Sequence, residues 1–344
     1  MRATTPRTIV AALVALSLLS PVWGGDAEAK VMQAIEKVKG TVARDAKQKG
    51  NPVIGVNLST RELRLVPLRE LVALKQMQTL DLAFADVTEE GLKDLAALTA
   101  LQTLDLTGTP ASDASLKALA ALKQLRSLSL AYTRVTPAGL RDLNTLTQLK
   151  SLNLEGARVT VVKELAPLKQ LDALGLAFTG LTDSDVKDIA GLVTLQELDI
   201  SRNEITDAGV KALAALPQLR KLNLASTRLT DAGLKDVGNF GRLQEVNVTL
   251  TGVTDAGLKS LAGLSQLQAL SLGHTRVTSA GLKELAGHKG LQKLYLGHTA
   301  VTDAGLQELA KLTQLQELTL IGARVTDAGV AAFQKALPKC RIVR

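Results

Sequence analysis

The sequence predicts an α/β solenoid, with a continuous parallel sheet on one face and short helices on the other, and three observations carry that prediction. First, the pattern L-x-x-L-x-L begins at Met77, Leu101, Leu125 and Leu149, resumes at Leu171, and then returns every 24 residues to Leu315. Second, the hydrophobic period changes inside each unit. It is 2 at Leu294 and Leu296 and near 3.6 at Leu306, Leu309 and Leu312, so a short strand alternates with a short helix. Third, 46% of the 344 residues are hydrophobic but only 2% are aromatic, which suits a core of identical aliphatic layers.

Residues 1–25 read as an export signal. Arg2 and Arg7 form a basic start, Ile9–Leu19 an apolar run, and Pro21 opens a small-residue stretch. Cleavage after Gly24, Gly25 or Ala29 is compatible with the sequence. The apolar run is shorter than the ~20 residues a spanning helix needs, so no membrane span is expected after removal. Removing Arg2 and Arg7 with the signal takes the formal charge from +8 to +6, a modest basic excess. Cys340 is the only cysteine, so packing alone must stabilise the chain.

Residues 26–52 are expected to form a capping helix and linker, on the stripe Val31, Ala34, Ile35, Val38 and Val42. Residues 53–344 form the solenoid, counted back to Val53 and forward to Ile342 as thirteen strand positions. One unit offers about seven aliphatic side chains worth ~1.5–3 kcal/mol each when buried. Ordering its backbone costs ~1–2 kcal/mol per residue, so a lone unit cannot fold and neighbours must stack. Each helix begins at a Val-Thr-Asp-Ala-Gly-Leu step, as at Val253–Leu258. Thr254 fits the N-cap, Asp255 suits the helix dipole, and Val253 and Leu258 form a hydrophobic staple. Pro137 in the Asp position agrees, because proline is tolerated at the first helical residue. The 22-residue unit from Leu149 lacks this step and predicts a local irregularity on the helical side. Phe333, Leu337, Cys340 and Ile342 read as a closing layer over about residues 330–344.

The unit L-x-x-L-x-L-x-x-T-x-V-T-D-A-G-L-K-x-L-A-x-L resembles the leucine-rich repeat, in the ribonuclease-inhibitor-like subfamily with cysteine at the ninth position. Here that position is mostly Thr, with Asn203 once and Ala at 85, 157 and 323. The resemblance implies a right-handed horseshoe with a concave parallel sheet and convex helices, of a secreted bacterial type. A ninth-position hydroxyl is expected to bond the neighbouring turn, with the Ala sites leaving those groups to water or backbone. The subfamily also includes substrate-recognition subunits of ubiquitin ligases. That role is the least supported, since only a signal and a short helix precede the repeats.

No metalloprotease, nucleophile-elbow, P-loop or dinucleotide motif is present, and repeat columns set like residues side by side instead of converging on a pocket. The expectation is a non-enzymatic module with no cofactor and no metal. Its candidate surface is the concave face, at positions 3, 5, 7 and 8 of each unit. The eighth column holds Phe84, Tyr132, Phe178, Arg202, His274 and His298, with Tyr295 and Asp199 in the fifth. Aromatic and arginine side chains anchor interfaces. The alternative is that the eighth-position side chains simply pack along the sheet edge. His274 and His298 fall on adjacent strands, close enough to share a metal but without a third ligand, and His288 stands at a helix position that is Leu elsewhere. Counting Asp81, Asp105, Glu155, Glu197, Asp199, Glu245 and Glu317 against Lys221, Lys293 and Arg202 makes the face net acidic by four, which disfavours nucleic acid there. The expected partner is therefore a protein or peptide, bound outside the cytoplasm by a monomer, with an envelope glycan as the alternative.

Overall fold

The computed structural model describes residues 26–60, 68–159 and 162–344, so the expected export signal at 1–25 lies outside the described residues. The chain divides into two compact units, one of residues up to Val159 with Pro167–Leu171, the other of Thr160–Ala166 with Asp172–Arg344.

The first unit opens with helix α1 (Asp26–Lys37) and strand β1 (Thr41–Arg44), which runs antiparallel to β2 (Val53–Asn57). This corrects the expectation of a helix and linker. The helix stops at Lys37, with Val31 and Ile35 buried, and Val42 lies on β1. Strands β3 (Thr79–Asp81), β4 (Thr103–Asp105), β5 (Ser127–Ser129) and β6 (Ser151–Asn153) then add in parallel, pairing Leu80, Leu104, Leu128 and Leu152 in register. Their helices are α2 (Glu89–Asp94), α3 (Asp113–Leu119) and α4 (Pro137–Leu140), the last with Pro137 in its first turn.

The second unit repeats the plan. Its parallel strands are β7 (Ala173–Gly175), β8 (Glu197–Asp199), β9 (Lys221–Asn223), β10 (Glu245–Asn247), β11 (Ala269–Ser271), β12 (Lys293–Tyr295), β13 (Glu317–Thr319) and β14 (Arg341–Val343). The helices are α5 (Asp183–Ile189), α6 (Asp207–Ala212), α7 (Asp231–Val237), α8 (Asp255–Leu258), α9 (Asp303–Leu309) and α10 (Asp327–Ala336). The repeat between those of α8 and α9 has a 3-10 helix at Gly281–Gly287 in place of an α-helix, and the described residues of the shortened repeat have a 3-10 turn at Lys163–Leu165. Phe333, Leu337 and Cys340 are buried in the last layer, and burial pushes the Cys340 thiol up to about 11. It is a packed residue and not a reactive thiolate.

The Thr-Asp-Ala-Gly step does more than start helices. Thr254 caps α8 by accepting from the Ala256 amide at 3.2 Å, as the N-cap reading requires. Its own N–H and hydroxyl donate to the two carboxylate oxygens of Asp231, one repeat earlier, at 2.8 and 2.6 Å. The same clamp joins Asp113 to Thr136, Asp183 to Thr206, Asp207 to Thr230, Asp255 to Thr278 and Asp303 to Thr326. The hydrogen bonds from Thr326 hold the Asp303 carboxyl below its ordinary range. The glycine follows from the clamp, since a Cβ on Gly257 would stand 2.4 Å from the Asp231 oxygen. In two turns that receive no acid from the preceding repeat the glycine is absent too, although Gly305 keeps it opposite Ser279 and Ser115 replaces it opposite Glu89. Pro137 and the shortened repeat offer none, and Thr182 is instead held at 2.8 Å by Asp185, which occupies the glycine position of its own helix.

Candidate functional site

The side of the sheet facing away from the helices is built by positions 3, 5, 7 and 8, and the eighth is the unusual one. Its amide continues the ladder by donating to the seventh-position carbonyl of the next turn, as Phe84 does to Thr107 at 2.7 Å and Arg202 to Ala225 at 2.8 Å. The chain then reverses so sharply that the ninth-position amide reaches back to the sixth-position carbonyl, Thr109 to Leu106 at 3.1 Å. That reversal requires left-handed backbone. Gly108, Gly156 and Gly322 adopt it at φ of 66–70°. Phe84, Tyr132, Phe178, Arg202, Ser226, Leu250, His274 and His298 adopt it at 54–58°, although each has a Cβ. For a residue other than glycine this costs roughly 1–2 kcal/mol.

Those side chains stay in solvent. Phe84 is 60% exposed, Tyr132 45%, Phe178 61% and Leu250 53%. Rings partly cover the next turn where it carries glycine, so that a Cβ on Gly108 would lie 2.4 Å from the Phe84 ring, and one on Gly156 2.5 Å from that of Tyr132. One face of these rings thus packs along the sheet, as the edge-packing alternative expects, while much of the side chain remains exposed. The Tyr132 hydroxyl also donates to Glu155 at 2.6 Å. Arg202 is exposed and has no side-chain partner among the described residues.

His274 and His298 stack with ring centroids 4.2 Å apart and planes inclined by 18°. Imidazole lone pairs lie in the ring planes, so near-parallel rings direct them side by side and not at one ion. Among the described residues no three His, Cys, Asp or Glu side chains group to hold a metal. Tyr295 lies on β12 at the fifth position, half-buried, with its hydroxyl pushed above the ordinary range by burial and by Glu317 and Glu245. His288 is buried on the helical side, as expected. Burial lowers its pKa, and its Nε2 has no hydrogen-bond partner.

Three sequence readings are corrected here. Asp199 is less a free recognition group than a turn builder, because Oδ1 accepts from the Ser201 amide and hydroxyl at 2.9 and 2.6 Å and Oδ2 from Asn223 at 2.8 Å. Asp81, Asp105, Asn153, Asn223 and Asn247 take the equivalent amide in their own turns. The face is also less acidic than counted, since Arg341 belongs to the third-position column beside Glu317. In the second unit that column alternates in sign, with Lys221 2.8 Å from Glu197 and 3.9 Å from Glu245, and its ammonium is raised mainly by the Glu197 hydrogen bond. Third, the ninth-position hydroxyls bond their own turn's sixth-position carbonyl, as in Thr133 to Leu130 at 2.6 Å, and not the neighbouring turn. Threonine is too short to cross between layers. Asn203 does cross, donating to Leu176 at 2.7 Å and accepting from the Thr179, Gly180 and Leu181 amides at 2.9–3.1 Å.

No helix among the described residues is long and apolar enough to cross a membrane. Comparison with curated proteins gives no match. Among solved structures the chain is similar to an internalin from Listeria monocytogenes, with a TM-score of 0.63 at 19% identity over 96% of this chain and 98% of that one. It is also similar to a TDR receptor, with a TM-score of 0.55 at 16% identity over 80% of this chain and 48% of the receptor. At such identities these likenesses establish the fold alone. The model of the leucine-rich repeat region matches residues 56–294, and a further leucine-rich-repeat model matches 291–310. Repeats of this kind commonly mediate protein–protein interaction. With that model covering well over half of its length and strand, turn and helix recurring along it, the chain belongs to the leucine-rich-repeat family.

Proposed function

We propose that the protein is a non-enzymatic interaction module acting outside the cytoplasm, and that it seats a protein or peptide partner on the outward face of the sheet. One observation carries this reading. The eighth position needs left-handed backbone, glycine meets that need at no cost, and the chain nevertheless places Phe178, Arg202, Leu250, His274 and His298 there, exposed. Large side chains held in strained turns and left in solvent are groups presented to something else. The signal-like residues 1–25 support a place beyond the cytoplasm.

The test is affinity capture from periplasmic or culture fluid, with the captured protein identified by mass spectrometry. A specific partner is expected with the native chain and lost on combining Tyr132→Ala, Phe178→Ala and Arg202→Ala. Undiminished recovery by that variant overturns the placement. A second reading, recognition of an envelope glycan, is favoured by the Phe84 and Tyr132 rings, each lying over a glycine with much of its surface exposed, as a sugar-stacking platform does. Glycan-array binding abolished by Tyr132→Ala would put it first.

A further inference from the structure

Within the second unit the exposed side chains change character along the sheet. Leu250, His274, His298 and Ile321 form a continuous apolar and aromatic ridge from turn to turn. The Leu250 amide donates to Gly273, that of His274 to Gly297 and that of His298 to Ile321, which is itself 41% exposed. The His298 ring lies over Gly322, where a Cβ would come within 2.5 Å of Nδ1, so the ridge is fixed and not a set of loose side chains. Upstream of it along each turn lies the third-position column, with Lys293 and Arg341. Downstream lies the tenth position, with Arg276 and Arg324. All four cations are exposed and none has a side-chain partner among the described residues. Glu245, in the turn of Leu250, and Glu317 are the acids in the third, fifth, seventh, eighth and tenth columns of these turns. In the preceding turns the charges are already answered, with Lys221 between two glutamates, Arg228 3.2 Å from Glu204, and Asp199 spent on its own turn.

Resting on the interaction reading above, we infer that the outward face of the turns from Leu250 to Arg341 takes an acidic amphipathic segment of a protein partner. Its apolar stripe would lie on the Leu250–His274–His298–Ile321 ridge, and its carboxylates would reach the cations on both flanks. Charge complementarity selects this occupant. Cations of each flank recur on every second strand, about 10 Å apart. A segment with an apolar line between two acidic lines satisfies both flanks and the ridge, whereas a purely ionic polymer would leave Leu250 and Ile321 unused.

The probe is a fluorescein-labelled acidic amphipathic peptide of Glu, Leu and Ser, followed by anisotropy with the full chain, beside the same peptide with Gln for every Glu. The acidic peptide is expected to bind, to weaken as salt rises, and to lose about tenfold or more in affinity to the double variant Arg276→Gln with Arg324→Gln. Lys187→Gln with Lys211→Gln, exposed on helices α5 and α6, should leave it unchanged. Equal binding of the Gln peptide, or indifference to the arginine variant, overturns the inference, as does tighter binding of heparin or of phosphatidylglycerol vesicles to the same arginines. The exposed arginines make no contact the fold needs, and an unaltered melting curve for the double variant checks this. If a natural partner is lost on Phe178→Ala with Arg202→Ala but kept by the arginine variant, the proposed function stands and this inference fails. If no variant of the face affects the partner, the proposed function itself falls.

Discussion

In the second unit five aspartates, Asp183, Asp207, Asp231, Asp255 and Asp303, each grip the cap threonine of the following turn, whereas in the first unit, among the described residues, Asp113 alone does so. Its neighbour Ser112 is held by Glu89 instead. The sheet faces differ in parallel. The third column of the first unit is Thr79, Thr103, Ser127 and Ser151, and the second unit has the alternating Glu197, Lys221, Glu245 and later Lys293, Glu317, Arg341. A single repeat pattern thus supports two styles of cohesion, one of hydroxyls and aliphatic layers and one reinforced by charged cross-links. The glycine accompanies the clamp at Gly139, Gly209, Gly233, Gly257, Gly281 and Gly329, where a Cβ would meet the carboxylate of the preceding turn, so there two residues in successive turns act as a pair.

The strongest way to break the contrast is at Asn203. Asn203→Ala strips three amides, two of them buried, and the Leu176 carbonyl of their partner and is expected to destabilise the second unit by about 3–5 kcal/mol. Thr133→Ala, which removes one bond within one turn of the first unit, should cost about 1 kcal/mol. Denaturant melts of the two variants check the ratio, and equal losses would mean that Asn203 does not tie its turns together.

Next in size is the glycine that makes room for the clamp. Gly209→Ala puts a Cβ 2.4 Å from the Asp183 oxygen and 2.9 Å from Ile205, and should cost about 2 kcal/mol despite the better helix propensity of alanine. In Gly91→Ala the nearest atom is Thr88 Oγ1 at 3.3 Å, with no carboxylate in the way, and the change should be neutral or stabilising by up to about 1 kcal/mol. Thermal melts of both single variants decide whether the glycine serves the clamp or the helix.

These two cases also show what could be read in advance. The layers were legible because Leu at fixed spacing has one interpretation, and so were the caps, because threonine before a helical run has a local job. The clamp was written just as plainly, as Thr-Asp-x-Gly recurring every 24 residues. A reading made within one helix assigns Asp to the dipole and leaves Gly unexplained; the missing step was to ask what lies beside each residue one turn away. Likewise, glycine at 108, 156 and 322 was the available sign that the eighth column is left-handed, obscured because bulky residues fill the column elsewhere. Asp199 misled because a carboxylate on a strand looks free until the amide two residues on is seen to need an acceptor.

His288 separates the units by pH. It replaces the Leu that the first unit carries at positions 98, 122 and 146, and burial lowers its pKa from 6.5. With the folded value depressed, the protein pays nothing above pH 6.5 and loses stability as pH falls from there towards the folded value, where only the unfolded chain binds the proton. His288→Leu should therefore flatten the pH dependence of the melting temperature of the second unit below about pH 6.5 and leave it nearly unchanged at pH 8. A parallel pH dependence in native and variant protein would remove His288 from the account.

The smallest effect expected is at the eighth column. Ser226→Gly relieves left-handed backbone at φ 55° and gives up only a small half-buried side chain, so a gain of about 0.5–1 kcal/mol is expected. Tyr132→Gly relieves the same strain, but it loses the hydroxyl bond to Glu155 and the ring over Gly156, and should come out near zero or slightly destabilising. If both substitutions stabilise alike, the first unit's ring contributes nothing to folding. If Ser226→Gly destabilises, the strain assigned to the column is absent, and the case that its side chains are presented at a cost loses its physical ground.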